Sequence, residues 1–238
     1  MGVSKKRKKA LKITIIAALV VIVTATIALT MIFGYPGRYI NAKTRFDKLS
    51  GEGYQKNEIL LIGSSFMEFW STSGEDLTPL KTYNLGVAST VVSDWAKWID
   101  KFVVPFEPRA VVIYVGSNDI NGGPFSKSGN AVAEEVKALF SDIRDRLDKT
   151  EIYYISIAPT IAREKVWSEA AENNRLVREY CEQKDYLHFI DCTDALLNED
   201  KSLKYDIYRD DDLHFNEKGY EIWKSVIAPV LINDLYGE

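Results

Sequence analysis

The sequence predicts an α/β protein: a three-layer α/β/α sandwich around a mostly parallel five-stranded sheet, preceded by an N-terminal transmembrane helix. Short β-rich runs alternate with longer stretches of helical period between residue 58 and the C-terminus. This alternation is typical of parallel strands joined by right-handed crossover helices, which cover both faces of the sheet. A further observation is the uncharged run at residues 13–33, which directly follows a cluster of basic residues.

Five strands are predicted where β-branched and apolar residues form short runs bounded by turn residues. These runs are residues 59–63, 82–85, 110–115, 152–157 and 187–191. In open parallel sheets the functional groups gather beyond the carboxyl ends of the strands. The residues that directly follow these runs are therefore the candidates for a site.

Four helices are predicted from apolar residues that recur every three or four positions. Two such stripes are Val92, Trp95, Ile99 and Phe102, and Val132, Val136, Leu139, Ile143 and Leu147. A third helix is expected over about residues 164–183. The last one follows Asn216, which is a suitable N-cap, and Pro229 is expected to bend or interrupt it.

The N-terminal segment has the features of a membrane anchor. A helix over residues 13–33 would be about 30 Å long, which matches the hydrocarbon core of a bilayer. Because basic residues mark the cytoplasmic flank, residues 1–12 are predicted to be a cytoplasmic tail and residues 13–33 an uncleaved signal-anchor helix. The rest of this single-pass protein would then lie outside the cytoplasm. A cleaved signal peptide is the alternative, but its apolar region is usually only about 7–15 residues long.

The remainder of the chain is predicted to form two segments. Residues 34–57 are polar and are interpreted as a juxtamembrane connector, with a short helix at residues 42–49. Residues 58–238 are long enough for one α/β domain and too short for two.

The charge distribution excludes nucleic acid as a partner. The chain has 30 Lys and Arg against 34 Asp and Glu, and six of the basic residues lie between positions 5 and 12. The other 24 basic residues face 34 acidic ones, which leaves a net charge of −10 and no basic surface for phosphate. Since no EF-hand spacing and no Cys/His cluster occurs, no metal and no other cofactor is expected.

The two cysteines, Cys181 and Cys192, are expected late in a helix and at the end of a strand. A disulfide is chemically possible in a domain outside the cytoplasm. A core of this size does not need a covalent crosslink, so we expect buried free thiols.

Two adjacent serines follow the first predicted strand. Ser64 and Ser65 lie at a strand-to-helix turn, where a hydroxyl can project into a crevice, although a helix cap is the alternative. Of the two histidines, His188 lies inside a predicted strand, where a packing role is the better interpretation. His214 lies in a polar loop before the last helix, and Asp211 can reach its Nδ1–H. These residue types suit nucleophilic catalysis.

Gly86 and Asn118 lie after the second and third predicted strands. A glycine lets a backbone N–H approach a reacting oxygen closely, and an asparagine can donate a side-chain N–H to the same point. Each residue alone is typical of a turn. Together with the serines and His214 they indicate an acyl-transfer site.

Four segments, in this order, resemble the sequence blocks of the SGNH/GDSL hydrolase superfamily. They are Gly63-Ser64-Ser65, Gly86, Gly116-Ser117-Asn118-Asp119 and Asp211-Asp212-Leu213-His214. The resemblance covers about residues 58–235 and implies a flavodoxin-like SGNH hydrolase fold. It implies that Ser65 is the nucleophile, His214 the base and Asp211 its partner. It also implies an oxyanion hole built from the amides of Ser65 and Gly86 and the side chain of Asn118.

The sequence departs from the superfamily pattern at two places. Ser64 replaces the aspartate of the Gly-Asp-Ser motif, which makes this the Gly-Ser-Ser variant of the first block. Ala88 and Ser89 stand where relatives often have glycine after the second block, which narrows the room there.

The resulting hypothesis is a membrane-anchored esterase outside the cytoplasm that removes short acyl groups, mainly O-acetyl groups, from carbohydrate through an acyl-enzyme on Ser65. An O-acyltransferase with a glycan acceptor, a lipid esterase and a catalytically silent binding module are the alternatives. Trp70 and Trp167 are candidates for substrate binding, because an indole can stack on a sugar ring. Core packing is an equally good interpretation of both residues.

Overall fold

The computed structural model describes the backbone of residues 2–236 and the side chains of residues 11–27, 29 and 34–236. It contains two compact units, Met1–Asn41 and Ala42–Glu238. Helix α1 (Gly2–Phe33) belongs to the first unit, and helix α2 (Tyr35–Glu52) crosses the division between them. The second unit contains the sheet and the other helices.

The predicted transmembrane helix is not confirmed. Helix α1 begins at Gly2 and not at residue 13. Among the side chains that the structure describes, no helix is long and apolar enough to cross a membrane. Part of the predicted span, at positions 28 and 30–33, and the predicted tail at positions 1–10 have side chains outside the described residues.

The sheet confirms the predicted fold class. Its strands are β1 (Ile59–Gly63), β2 (Thr82–Asn84), β3 (Ala110–Tyr114), β4 (Glu151–Ile155) and β5 (Leu187–Ile190). Their order is β2-β1-β3-β4-β5, and all neighbouring pairs are parallel. All five carboxyl ends therefore lie along one edge, where the loops that follow the strands meet.

Helices cover both faces of the sheet. They are α3 (Ser65–Phe69), α4 (Ser73–Asp76), α5 (Val92–Trp98), α6 (Gly129–Arg146), α7 (Trp167–Cys181) and α8 (Glu217–Leu235). On one face Trp223 of α8 packs against Tyr114 of β3, with ring centroids 5.0 Å apart. On the other face Phe140 of α6 packs against Tyr154 of β4 at 5.8 Å.

Two predicted helices differ in detail from the observed ones. The stripe that starts at Val92 is buried as predicted, but α5 ends at Trp98, and a π-helical turn, Ile99–Val103, and a 3-10 turn, Val104–Phe106, follow it. In α8, Asn216 is the N-cap, since its side chain accepts from the amides of Lys218 and Gly219. Pro229 lies inside α8 without interrupting it, and Ala228 and Leu231 beside it are buried.

The predicted connector 34–57 contributes to the folded domain. Helix α2 extends beyond the short helix expected at residues 42–49, and Ala42 is buried. The ring of Phe46 lies 5.5 Å from that of Phe102 and 5.7 Å from that of Phe106. The compact unit therefore begins at Ala42 and not at residue 58. Most residues of this segment are polar, and only a narrow apolar face, which includes Ala42 and Phe46, packs against the domain.

Cys181 and Cys192 are free and buried, as expected from the size of the core. Burial raises the pKa of the Cys181 thiol to about 12. Burial also raises the pKa of Cys192. Both cysteines therefore fill the core as uncharged thiols.

Candidate active site

The structure brings Ser65, His214 and Asp211 into one hydrogen-bonded chain. Ser65 Oγ lies 2.7 Å from His214 Nε2, and His214 Nδ1 lies 2.6 Å from Asp211 Oδ2. Ser65 follows β1 at the start of α3, whereas the other two residues lie in the loop before α8. A serine, an imidazole and a carboxylate in this order are the arrangement that activates a hydroxyl for acyl transfer.

The carboxylate of Asp211 is held by several hydrogen bonds at once. Its Oδ1 accepts from the amides of Leu213 and His214 at 3.0 and 2.9 Å, while Oδ2 faces the imidazole. Partial burial alone would raise the pKa of Asp211, but the hydrogen bond from His214 and the two amides outweigh it and lower the pKa to about 2. The residue is thus a carboxylate at any ordinary pH, as the orientation of the imidazole requires.

The turn between β1 and α3 determines which serine faces the histidine. Gly63 has a φ of 150°, and a Cβ there would lie 2.3 Å from the carbonyl oxygen of Tyr114. Only glycine therefore lets β1 end so close to β3. The amide of Ser64 donates to the same carbonyl at 3.0 Å, and the Oγ of Ser64 is buried without a partner among the described residues. Ser65 is the serine that reaches His214.

Two aromatic rings of α3 hold the imidazole of His214. The ring centroid of Phe66 lies 5.5 Å away, and that of Phe69 lies 5.0 Å away in an edge-to-face arrangement. The guanidinium of Arg209 lies over the outer part of Phe69, 4.8 Å from its centroid. The amide of Arg209 also donates to the carbonyl of His214 at 2.8 Å. These contacts fix the base on the loop that carries it.

Asn118 lies beyond the carboxyl end of β3, as expected. Its Nδ2 donates to the carbonyl of Thr90 at 3.0 Å, which leaves the second N–H of that amide for another acceptor. The amide of Ser65, at the first position of α3, has no hydrogen-bond partner among the described residues. Both groups suit an oxyanion hole.

The assignment of the Gly86 amide to the oxyanion hole is corrected by the structure. This N–H donates to Oδ1 of Asn84 at 2.9 Å, so it is already occupied. A Cβ at Gly86 would lie 2.4 Å from the backbone nitrogen of Glu68. The glycine is therefore required for the close approach of this loop to α3, because any side chain would push the two backbones apart.

Ser89 has the free amide that Gly86 lacks. It lies in the left-handed region with a φ of 64°, and its N–H donates to no atom of the described residues. It directly precedes Thr90, whose carbonyl accepts from Asn118. The sequence analysis treated Ser89 only as a position that narrows the site, because nothing in the sequence marks a serine in this conformation.

The two candidate tryptophans lie in different environments. Trp70 is fully buried, its Nε1 donates to Asp76 at 2.7 Å, and its ring packs against Tyr220 and Trp223, so its assignment to substrate binding is wrong. Trp167 is partly exposed and lines a cavity of about 170 Å³. The other lining residues are Pro159, Thr160, Glu164, Leu197, Lys201, Ser202, Leu203 and Tyr205.

His188, the other histidine of the chain, has a structural role. His188 stacks on Tyr153 in the sheet at 4.3 Å and contacts Glu151, as its position in a strand predicted. No group of three or more His, Cys, Asp or Glu that could hold a metal ion occurs among the described residues. The sequence analysis missed Arg163, whose guanidinium donates to Oδ1 of Asn118. Arg163 lies 45 residues from Asn118 and outside the four segments that resemble the superfamily, so nothing in the sequence marked it.

The fold and the chain Ser65–His214–Asp211 define the class of the protein as a serine hydrolase of the α/β/α type. Residues 63–222 match the GDSL-like Lipase/Acylhydrolase family. The protein belongs to this family, and it is a serine hydrolase of carboxylic esters. The resemblance to the SGNH/GDSL superfamily is thereby confirmed.

Most of this chain is similar in sequence to part of a curated protein. It is 24% identical over 198 residues to the N-acylneuraminate cytidylyltransferase of Escherichia coli, and the match covers 81% of this chain but only 45% of that protein. The chain thus spans less than half the length of this curated relative.

Two solved structures have the same fold. One, from Streptococcus pneumonia, is described as a platelet activating factor; it has 18% identity and a TM-score of 0.73, with 90% of this chain and 99% of that chain covered. The other is an acetyl-xylooligosaccharide esterase mutant from Geobacillus, with 16% identity, a TM-score of 0.60, and 78% and 96% of the two chains covered. At these identities the likeness shows the fold alone.

Proposed function

We propose that this protein hydrolyses short acyl esters, and that its substrates are O-acetyl groups on carbohydrate. The observation that carries the ester chemistry is the continuous contact from Ser65 Oγ through the imidazole of His214 to Asp211, at 2.7 and 2.6 Å. An acyl-enzyme on Ser65 follows from this geometry. The proposed acetyl and carbohydrate specificity is supported by the cavity beside Trp167 and by the likeness in fold to an acetyl-xylooligosaccharide esterase.

The reaction proceeds in two halves. Ser65 Oγ attacks the ester carbonyl while His214 Nε2 takes its proton, and the carbonyl oxygen becomes an oxyanion that accepts from the amides of Ser65 and Ser89 and from Asn118 Nδ2. The protonated imidazole then donates to the leaving alcohol. Water then attacks the acyl-enzyme while His214 Nε2 takes its proton. The imidazolium returns that proton to Ser65 Oγ as the acid leaves.

The cavity beside Trp167 supports a small, polar substrate. Its volume of about 170 Å³ is below the range of about 300–1,000 Å³ of ordinary ligand pockets, so a long acyl chain finds no channel there. Polar and charged residues, among them Glu164, Lys201 and Ser202, line it and can bond sugar hydroxyls. Trp167 offers an aromatic face. The similarity in fold to an acetyl-xylooligosaccharide esterase agrees with this substrate class.

The expected result is a preference for acetyl esters. The test compares kcat/KM for p-nitrophenyl acetate and octanoate, and it measures acetate released from acetylated xylan and from acetylated peptidoglycan. Trp167→Ala should lower the rate of acetate release from the acetylated glycan about two- to ten-fold, which corresponds to the roughly 0.5–1.5 kcal/mol of aromatic stacking. The rate on p-nitrophenyl acetate should not change. Trp167→Phe is the matched control. A preference for the longer ester without acetate release from either glycan would favour a lipid substrate; transfer of acetyl to a sugar acceptor would favour the acyltransferase.

We also propose that residues 13–33 anchor the protein in a membrane, with the N-terminus in the cytoplasm and the catalytic domain outside. The support is the basic cluster before residue 13 and the absence of charge up to residue 33. The large apolar side chains described in α1, such as Leu19, Val21 and Ile27, are more than half exposed within the chain itself. An apolar surface of this kind needs a nonpolar surrounding.

The full chain is expected in the membrane fraction, resistant to alkaline carbonate, with its catalytic domain sensitive to protease added to intact cells. Val20→Arg together with Val23→Arg should release it, because each arginine at the centre of a spanning helix costs about 2.5–3.5 kcal/mol. The control replaces the same two valines with isoleucine. Recovery of the unaltered chain in the soluble cytosol would refute the anchor.

A further inference from the structure

Arg163 contacts the oxyanion side of the active site at two points. Its Nη1 donates to the carbonyl of Ser117 at 2.6 Å, and its Nη2 donates to Oδ1 of Asn118 at 2.8 Å. The planar guanidinium therefore holds the backbone and the side chain of the loop after β3 at the same time. A lysine keeps the charge but lacks the rigid, planar pair of donors, so it can reproduce this arrangement only in part.

The charge of Arg163 has no acidic partner in the described part of the chain. Both of its hydrogen-bond acceptors are neutral, and no carboxylate there lies within ion-pair distance. Burial lowers the pKa of the guanidinium, yet an arginine keeps its proton in proteins. A half-buried cation without a counter-ion among the described side chains thus lies beside Asn118, where it can stabilise negative charge.

The segment that carries Arg163 is also tied to the triad loop. The 3-10 turn Ile161–Val166 follows β4, and the amide of Ala162 donates to the carbonyl of Asp212 at 2.9 Å. Asp212 lies between the triad residues Asp211 and His214. One short turn therefore bonds both the loop of the base and the loop of the oxyanion donor.

The amide group of Asn118 has two possible orientations, because the terminal torsion of an asparagine is roughly two-fold. In one orientation Nδ2 faces Thr90 and the reacting oxygen, and in the other Oδ1 does. The bond from Arg163 selects the first, since a guanidinium can only donate and needs Oδ1 on its side.

We propose that Arg163 is a positioning residue of the oxyanion hole, which holds the Asn118 amide with Nδ2 toward the ester and adds positive potential where the oxyanion forms. The inference rests on the proposed function, since it assigns Arg163 a part in the same ester hydrolysis. Its effect is exerted in the transition state and not on substrate binding, because negative charge develops on the carbonyl oxygen only during the attack.

The test combines kinetics with a measurement that needs no turnover. Arg163→Met is expected to lower kcat for p-nitrophenyl acetate about 10- to 100-fold, the loss of one charge-assisted hydrogen bond, with KM within two-fold of the parent. Asn118→Ala should lower it about 10²- to 10³-fold, and adding Arg163→Met to it should cost less than three-fold more. Arg163→Lys should restore part of the rate. The Asn118 side-chain amide signals in the NMR spectrum should shift in Arg163→Met.

Arg109→Met is the matched control, because this half-buried arginine also donates to a backbone carbonyl, that of Leu235 at 2.6 Å, but lies at the opposite end of β3. It should leave kcat unchanged. Multiplicative effects of Arg163→Met and Asn118→Ala, a change in KM alone, or unshifted Asn118 signals would overturn the proposal. If Arg163→Met does not fold, the same double-mutant cycle with Asn118→Ala is measured with Arg163→Lys. Phosphonylation of Ser65 by a fluorophosphonate separates the two inferences: an unreactive parent enzyme refutes the proposed function, and the NMR signals still decide the role of Arg163.

Discussion

Ser65→Ala is expected to lower kcat/KM for ester cleavage by about 10⁴- to 10⁶-fold, because it removes the atom that forms the acyl-enzyme. The side chain is nearly buried, and its Oγ bonds only the imidazole among the described residues. Removing one oxygen opens no large cavity, so the unfolding free energy should change by less than about 1 kcal/mol. Initial rates with p-nitrophenyl acetate, together with thermal unfolding, measure both effects.

The neighbouring serine provides the matched control. Ser64→Ala removes an equally small, buried hydroxyl that has no partner in the described residues, so activity within about ten-fold of the parent and an unchanged fold are expected. The opposite outcome, an inactive Ser64→Ala beside an active Ser65→Ala, would show that the nucleophile is Ser64. Loss of labelling by a fluorophosphonate in Ser65→Ala alone would support the assignment independently.

Asp211→Asn is expected to lower kcat by about 10⁴-fold with little change in KM. The amide of an asparagine can present an N–H to Nδ1 of His214, which favours the tautomer with the proton on Nε2 and leaves no lone pair for the proton of Ser65. Asp211→Glu, which keeps the charge on a longer side chain, should retain more activity than Asp211→Asn. Equal rates for the parent and Asp211→Asn would exclude Asp211 from the triad.

The low pKa of Asp211 adds a pH dependence that can be measured in the same variant. Its folded pKa of about 2 lies below the ordinary value of 3.8, so the folded state favours the carboxylate. The stability that it contributes is fully present above about pH 4 and is lost as the pH falls through about 2. The difference in unfolding free energy between the parent and Asp211→Asn should therefore shrink between pH 5 and pH 2, as followed by denaturant titration. A difference that stays constant over this range would contradict the cause given for the low pKa.

Local patterns were sufficient to predict the sheet and the candidate residues of the triad. β1 was predicted with its observed limits, and the other strands within two residues, because a strand covered on both faces is a short apolar run that contrasts with its polar loops. Asp211 and His214 lie three residues apart in one loop, so their contact is nearly local. The rule that the carboxyl ends of parallel strands share one edge placed both Ser64 and Ser65 at the site, and the resemblance to the SGNH/GDSL superfamily selected Ser65 as the nucleophile.

Contacts between distant segments decided the rest. Trp70 is a core residue because α8 packs on it, and Phe46 belongs to the domain because the turns at Phe102 and Phe106 meet it. The packing partners of Trp70 and Phe46 are distant in sequence, so the sequence left core packing of Trp70 undecided and placed Phe46 in the connector.

The sequence by itself determined the fold class and the strands, which depend on apolar period, and its four segments that resemble the SGNH/GDSL superfamily identified the three residues of the triad. Only the tertiary structure showed which N–H groups can serve an oxyanion hole. The amide of Gly86 donates to Asn84, whereas the amide of Ser89 donates to no atom of the described residues. Arg163, 45 residues further along the chain than Asn118, donates to its Oδ1. The reason is physical: a backbone N–H is available or occupied according to the folded loop, and sequence carries no direct record of where each N–H points.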